Sequence, residues 1–251
     1  MSTQKSFQVA GVDGCKAGWC VAVARPIDTG NRQDADCVLE LKRFFVAGTF
    51  AEVLAKTGDC ALVCVDIPIG LSDGMRPREC DVAARKMLRG PRASSVFPAP
   101  VRPCLTADDY ETACRISVGC SGKKMSRQSF AILPKIREVD DLMTPQLQSR
   151  VREIHPEVSF CALNSNEPLY HNKRTVGGQA ARHKLLQTGL INIDDVLADG
   201  PSRGYNMDDA LDAIVAAWTA SRAVVGKAVT LPPNPALDGK GLRMEILCPN
   251  A

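Results

Sequence analysis

The stretch FQVAGVDGCKAGWCVAVARP, residues 7–26, carries two short apolar runs around a glycine-bearing turn. Residues 7–12 read as a first strand that ends at Asp13-Gly14. Residues 18–26 read as a second strand returning beside it. A third strand is expected at 38–47 (VLELKRFFVA), after a polar turn at 28–36, so the three form an antiparallel meander. A short helix follows at 49–58, with Thr49 as N-cap, Glu52 completing a capping box and Gly58 at the end. ALVCVDIPIGL (61–71) is apolar throughout, as in a strand covered on both faces. The order β-β-β-α-β therefore predicts a mixed α/β sheet.

Beyond that point helices are expected at 80–90, 107–119, around 136–143, 177–189 and 206–226, and strand followed by helix at 150–160 with Pro156 in the first helical turn. A last strand is expected at 241–249. Residues 91–103 hold four prolines and exclude a long regular element. One domain over 1–251 is predicted, with a basic insertion or lid at about 76–148. From Arg76 to Arg137 thirteen Lys/Arg stand against five Asp/Glu, an excess of eight in a chain whose net charge is only +3. That asymmetry fits an anionic partner as well as a solvated basic face. Hydrophobic residues make up 45% and aromatics 5%, which argues for a sizeable core and against broad base-stacking platforms. No run reaches the roughly 18 apolar residues of a membrane span, and no signal-peptide core is seen. A cytoplasmic location is expected. The eleven cysteines are odd in number and lack any CxxC spacing, so reduced buried thiols are expected.

The acids offer the chemistry. Asp13 ends the first strand, where Asp-Gly is turn chemistry or, equally, an acid projected from a strand edge. Asp66 interrupts an apolar strand, where a carboxylate is costly unless paired or bound to a cation. Glu157 falls in the first turn of a helix, where the dipole favours it. His155 is a minor candidate. NMDDALDAIVAAW (206–218) places Asp208 and Asp209 in a helix's first turn and Asp212 one turn deeper among apolar residues. Asp208 and Asp209 share a face with Asp212, so their charges repel unless a cation sits among them. A hard divalent ion, Mg²⁺ or Mn²⁺, suits such oxygen ligands. Among the basic residues Arg92, Arg102, Lys123, Lys124, Arg127 and Lys173 are candidate phosphate contacts, as are Ser94 and Ser95, which could instead shape their loop.

The motifs GVDGCKAGW, VDIPIGL, SSVFPAPVR, HPEVSF and DDALDA, in this order, resemble domain of unknown function family 429, described as a predicted ribonuclease H-like nuclease family. The resemblance spans nearly the whole chain. It implies a ribonuclease H-like sheet, three antiparallel strands followed by parallel ones, with flanking helices. In the related Holliday-junction resolvases, acids on the first and fourth strands and a D-x-x-D pair on the last helix hold metal. The similar positions here are Asp13, Asp66 and Asp209–Asp212, with Glu157 belonging to this family's own motif. The fourth-strand acid is commonly Glu in those enzymes and is one methylene shorter here. The resemblance implies phosphodiester hydrolysis of nucleic acid, or of another phosphate-bearing substrate, with two metal ions roughly 3.5–4 Å apart. A non-catalytic nucleic-acid-binding or structural protein remains an alternative, as does a phosphotransferase of the sugar-kinase and actin type, for which the chain offers a single core and no second glycine-rich phosphate loop.

Overall fold

The computed structural model describes residues 7–27, 38–198, 200 and 204–250. The polar turn expected at 28–36 lies outside them, as does Cys37. Strands β1 (Gln8–Cys15), β2 (Gly18–Ile27) and β3 (Val38–Ala47) form the expected meander. Asp13 is not in the turn: β1 runs two residues further, and Asp13 pairs in register with Cys20. Helix α1 (Phe50–Lys56) is capped by Thr49, whose side chain accepts from the Glu52 N–H. The Glu52 carboxylate accepts instead from Gly48 N, 2.7 Å away, one residue before the position a capping box would use. Strand β4 (Cys60–Val65) then lies parallel to β1, and β5 (Val151–Glu153) parallel to β4. A two-residue strand, β6 (Leu190–Ile191), closes the other edge beside β3. The order β5-β4-β1-β2-β3-β6, with only β2 antiparallel to its neighbours, is the ribonuclease H-like arrangement expected from the sequence.

Alternation along the strands sends side chains to two different layers. Ala10 and Val12 of β1, with Val63 and Val65 of β4, pack in the layer that contains Phe50 and the helices inserted after β4. Val9 and Cys15, with Leu62 and Cys64, pack against helix α9 (Met207–Val224) on the opposite face. The odd positions of β1 and the even ones of β4 thus point at α9, and this parity carries on to Asp13 and Asp66. Gly11 lies between Val9 and Asp13 on that face. A Cβ there would stand 2.0 Å from Ala213 O and 2.1 Å from Ala217 N. Helix α9 therefore rests main chain to main chain on β1, which only glycine permits.

Residues between β4 and β5 form α2 (Glu79–Leu88), 3₁₀ turns at Gly90–Ser95 and Arg102–Thr106, α3 (Tyr110–Ser121), α4 (Arg127–Ala131) and α5 (Leu133–Leu142). The proline-rich stretch thus becomes two tight turns joined by extended chain. After β5 come α6 (Pro156–Leu163), with Pro156 in its first turn, α7 (Val176–Leu186) and α8 (Ile193–Leu197). The last strand is shorter than expected. β8 (Ile246–Pro249) pairs with β7 (Ala228–Leu231) in a separate two-stranded sheet, and residues 232–245 form an irregular strap. Long-range polar contacts hold it: the fully buried Asp238 side chain accepts from Leu71 N, Lys240 N and Leu242 N and pairs with Arg102. The ten cysteines among the described residues are free. Among the described residues no helix is long and apolar enough to cross a membrane.

Candidate active site

Asp66 follows the last residue of β4, so it sits at the strand's edge and not inside it. Its N–H donates to Val12 O at 2.9 Å, which places it beside Asp13 at the C-terminal ends of two parallel neighbours. In open α/β sheets ligand sites gather at such ends. The Gly11 contact brings the first turns of α9 over the same point, and Asp212, fully buried, faces the two strand acids. Three carboxylates from β1, β4 and α9 are thereby assembled. Burial pushes the Asp13 carboxyl well above its ordinary pKa, and repulsion from Asp66 and Asp212 adds to the rise. The Asp66 carboxyl is pushed up to about 7, again first by burial, with Lys173 pulling it down and Asp212 and Glu157 pushing it up.

A cation already stands among them. Lys173 Nζ donates to Asp212 Oδ2. Burial would lower the Lys173 pKa, but Asp212, Asp13 and Asp66 outweigh it and hold the ammonium charged. The other Asp212 oxygen, Oδ1, is buried without a hydrogen-bond partner.

Two further predicted acids are engaged elsewhere. Glu157, in the first turn of α6, pairs through Oε1 with the fully buried Arg182 of α7, while its Oε2 has no partner. Asp209 closes the α9 capping box: its Oδ2 accepts from Asn206 N at 2.8 Å. The third position of the helix thus does ordinary capping work, as first-turn acids commonly do.

A cavity of about 550 Å³ opens onto this cluster. Asp13, Asp66, Glu157, Lys173, Asp208 and Asp209 line one side. Asp212 is not part of the lining and meets the cavity through Lys173. Of the predicted phosphate contacts, Arg92, Ser94 and Ser95 also line it. The Ser95 hydroxyl donates to Arg92 O at 2.7 Å, which supports the loop-shaping role. Arg102 lies elsewhere, tied to Asp140 and Asp238. Lys123, Lys124 and Arg127 are exposed residues outside the lining, and Arg127 stacks over the Tyr110 ring, 4.1 Å from its centroid.

Sequence reasoning passed over Arg78, Gln128, Lys135 and Arg174, all in the lining, which also holds Asp208 from the acidic cluster expected at the head of the last helix. Lys135 is one of thirteen basic residues in its segment, and nothing in spacing distinguishes it. In the structure its stem covers Gly14 and its ammonium donates to Gly18 O. Arg78 is buried and paired with Glu153 and Asp81, a salt-bridged wall. His155 meets Ser95 O at 3.4 Å, and burial lowers its pKa, so it enters the site as a neutral ring.

Among the described residues, no three His, Cys, Asp or Glu side chains converge in metal-holding geometry as they stand. The donor set nonetheless fits a hard cation. Its atoms are carboxylate oxygens, Asp212 Oδ1 lacks a partner, and one ammonium does not neutralise three buried acids.

The chain is similar to Thermus thermophilus RuvC at 14% identity, over 88% of this chain and 97% of that one, with a TM-score of 0.35. No curated protein matches it. The model of the family described as "Protein of unknown function (DUF429)" matches residues 11–237. With nearly its whole length inside that match, the chain belongs to the DUF429 family.

Proposed function

We propose that the protein hydrolyses phosphodiesters, with nucleic acid as the leading substrate and other phosphate esters of the same chemistry as the alternative, using Mg²⁺ or Mn²⁺. One observation carries this reading: Asp13, Asp66 and Asp212, from three separate elements, meet beside a 550 Å³ cavity whose other walls carry Arg92, Lys135 and Arg174. Asp13 is the central ligand, since it feels both other acids, and Asp66 and Asp212 flank it. A divalent ion bound there supplies Lewis-acid polarisation of a phosphoryl oxygen and a water acidic enough to attack near neutral pH. Arg92, Lys135 and Arg174 hold the phosphate's outer oxygens, which positions the substrate without reading sequence. Glu157, salt-bridged to Arg182, borders the cavity beside the three acids and supports the cluster from the α6 side. Residues 76–148 act as a lid on this face: they bring Arg92, Gln128 and Lys135 over the strand ends and restrict water.

The test is hydrolysis of short labelled single- and double-stranded DNA and RNA, and of an activated phosphodiester, with Mn²⁺ or Mg²⁺. Wild type is expected to turn over at least one of them, and Asp13→Asn to lose at least 100-fold, the order of a lost electrostatic contact in a transition state. Salt-dependent binding of nucleic acid with no metal-dependent cleavage of any substrate would overturn the reading in favour of a binding protein.

A further inference from the structure

Lys173 is placed with more care than a surface lysine needs. Its Nζ reaches a fully buried aspartate, and the charges of Asp13 and Asp66 act on it as well. The main chain on either side of it is fixed. Asn172 O accepts from Thr175 N at 3.1 Å and from Thr175 Oγ1 at 2.8 Å. The Asn172 side chain accepts from Arg174 N at 2.9 Å. Gly178 lets that turn seat on α7, since a Cβ there would lie 1.9 Å from Asn172 O. Arg182, the partner of Glu157, also donates to His171 O at 3.2 Å. A turn pinned at four points delivers one ammonium to the carboxylate cluster.

The charges around it then decide how many metal ions the cluster takes. Glu157 is neutralised by Arg182, Asp208 faces Arg174 at 3.8 Å, and the half-buried Asp209 is turned to its capping bond and acts on Asp13 more weakly than Asp66 or Asp212 does. Asp13, Asp66 and Asp212 remain, and once a bound cation displaces the protons that burial favours on Asp13 and Asp66, the three carry three negative charges in one buried place. Lys173 cancels one of them. A single divalent ion cancels the other two, whereas two divalent ions beside a fixed ammonium would leave a buried excess of positive charge.

We propose that Lys173 permanently holds the place of one of the two cations expected from the sequence, so that this centre is completed by one divalent ion. The ammonium does for Asp212 what the second ion would do, and because Lys173 lines the cavity its remaining protons are available to a phosphate oxygen there. This inference rests on the metal-dependent reading given above.

The experiment compares wild type, Lys173→Met and Lys173→Arg by Mn²⁺ calorimetry and electron paramagnetic resonance. Wild type and Lys173→Arg are expected to bind one Mn²⁺ with the six-line spectrum of an isolated ion. Lys173→Met is expected to bind one equivalent more, with the broadened spectrum of two coupled ions. Two coupled ions in wild type would overturn the proposal and leave metal-dependent hydrolysis intact, and wild type alone suffices for that arm if Lys173→Met does not fold. Equal stoichiometry and affinity in wild type and a folded Lys173→Met would overturn it too. Absence of Mn²⁺ binding by every one of the three proteins would overturn the metal-dependent reading itself, and this inference with it.

Discussion

At the scale of single residues, the cost of holding charge out of water organises the site. Asp66 is an ordinary carboxylic acid, but burial brings it to titrate at about 7, against an ordinary value near 4. The folded chain therefore keeps a proton there that the unfolded chain gives up. The stability linked to that proton is complete below the ordinary value and is lost as pH rises through about 7. In metal-free protein the melting temperature is expected to fall between about pH 5 and about pH 8, and to fall less in Asp66→Asn. Thermal melts of the two proteins across that range check this, and parallel curves would show that Asp66 is not desolvated as described. Excess Mn²⁺ should flatten the wild-type fall, because it stabilises the ionised form that burial disfavours.

At the scale of elements, the joint between α9 and β1 sets the geometry. Gly11 has no turn to make; its role is to have no side chain where a helix main chain passes 2.0 Å from the place a Cβ would occupy. Gly11→Ala is expected to lift α9 off the sheet and to cost about 1–3 kcal/mol or more, as over-packing in a close-packed core does. Urea denaturation measures that loss. The same variant, still folded, should bind Mn²⁺ more weakly than wild type, because Asp212 rides on the helix and Asp13 on the strand. Unchanged affinity would mean that the helix position does not govern the cluster. The small residues Ala213 and Ala217 are readable in sequence as part of an apolar helix, yet their contact with Gly11 is not, since nearly the whole chain separates the partners.

At the scale of the whole molecule, a strap and an insertion close the fold around its sheet. The Asp238 side chain, fully buried, receives three main-chain N–H groups and Arg102. Asp238→Ala is expected to cost about 3–5 kcal/mol, as loss of one partner of a buried ion pair does. Limited proteolysis should then cut within 232–245, and equilibrium denaturation gives the size of the loss. A variant as stable and as resistant as wild type would show that the strap does not depend on this pin. The strap was illegible in the sequence because it has neither period and rests on partners 95 and more residues away. The meander, β4 and α9 were legible because their apolar periods are local. Asp13 could be singled out because it ends an apolar run, and Asp66 because it interrupts one. Their surroundings could not: Arg182 reaches Glu157 across 25 residues and Lys173 reaches Asp212 across 39, and those distances close only when α7 folds back beside α9.

The contact of α9 with Gly11 has one more consequence. It is made by peptide atoms, which are the same whatever side chains a sequence carries. Elsewhere in this core, replacing a valine by an isoleucine shifts neighbours by fractions of an ångström; here there is nothing to exchange. The spacing between the strand acid and the helix acid is therefore set by a ruler that mutation of the surrounding core does not stretch. Lineages are free to redraw the apolar layers on both faces of the sheet while the two carboxylates keep their separation, so long as position 11 stays glycine.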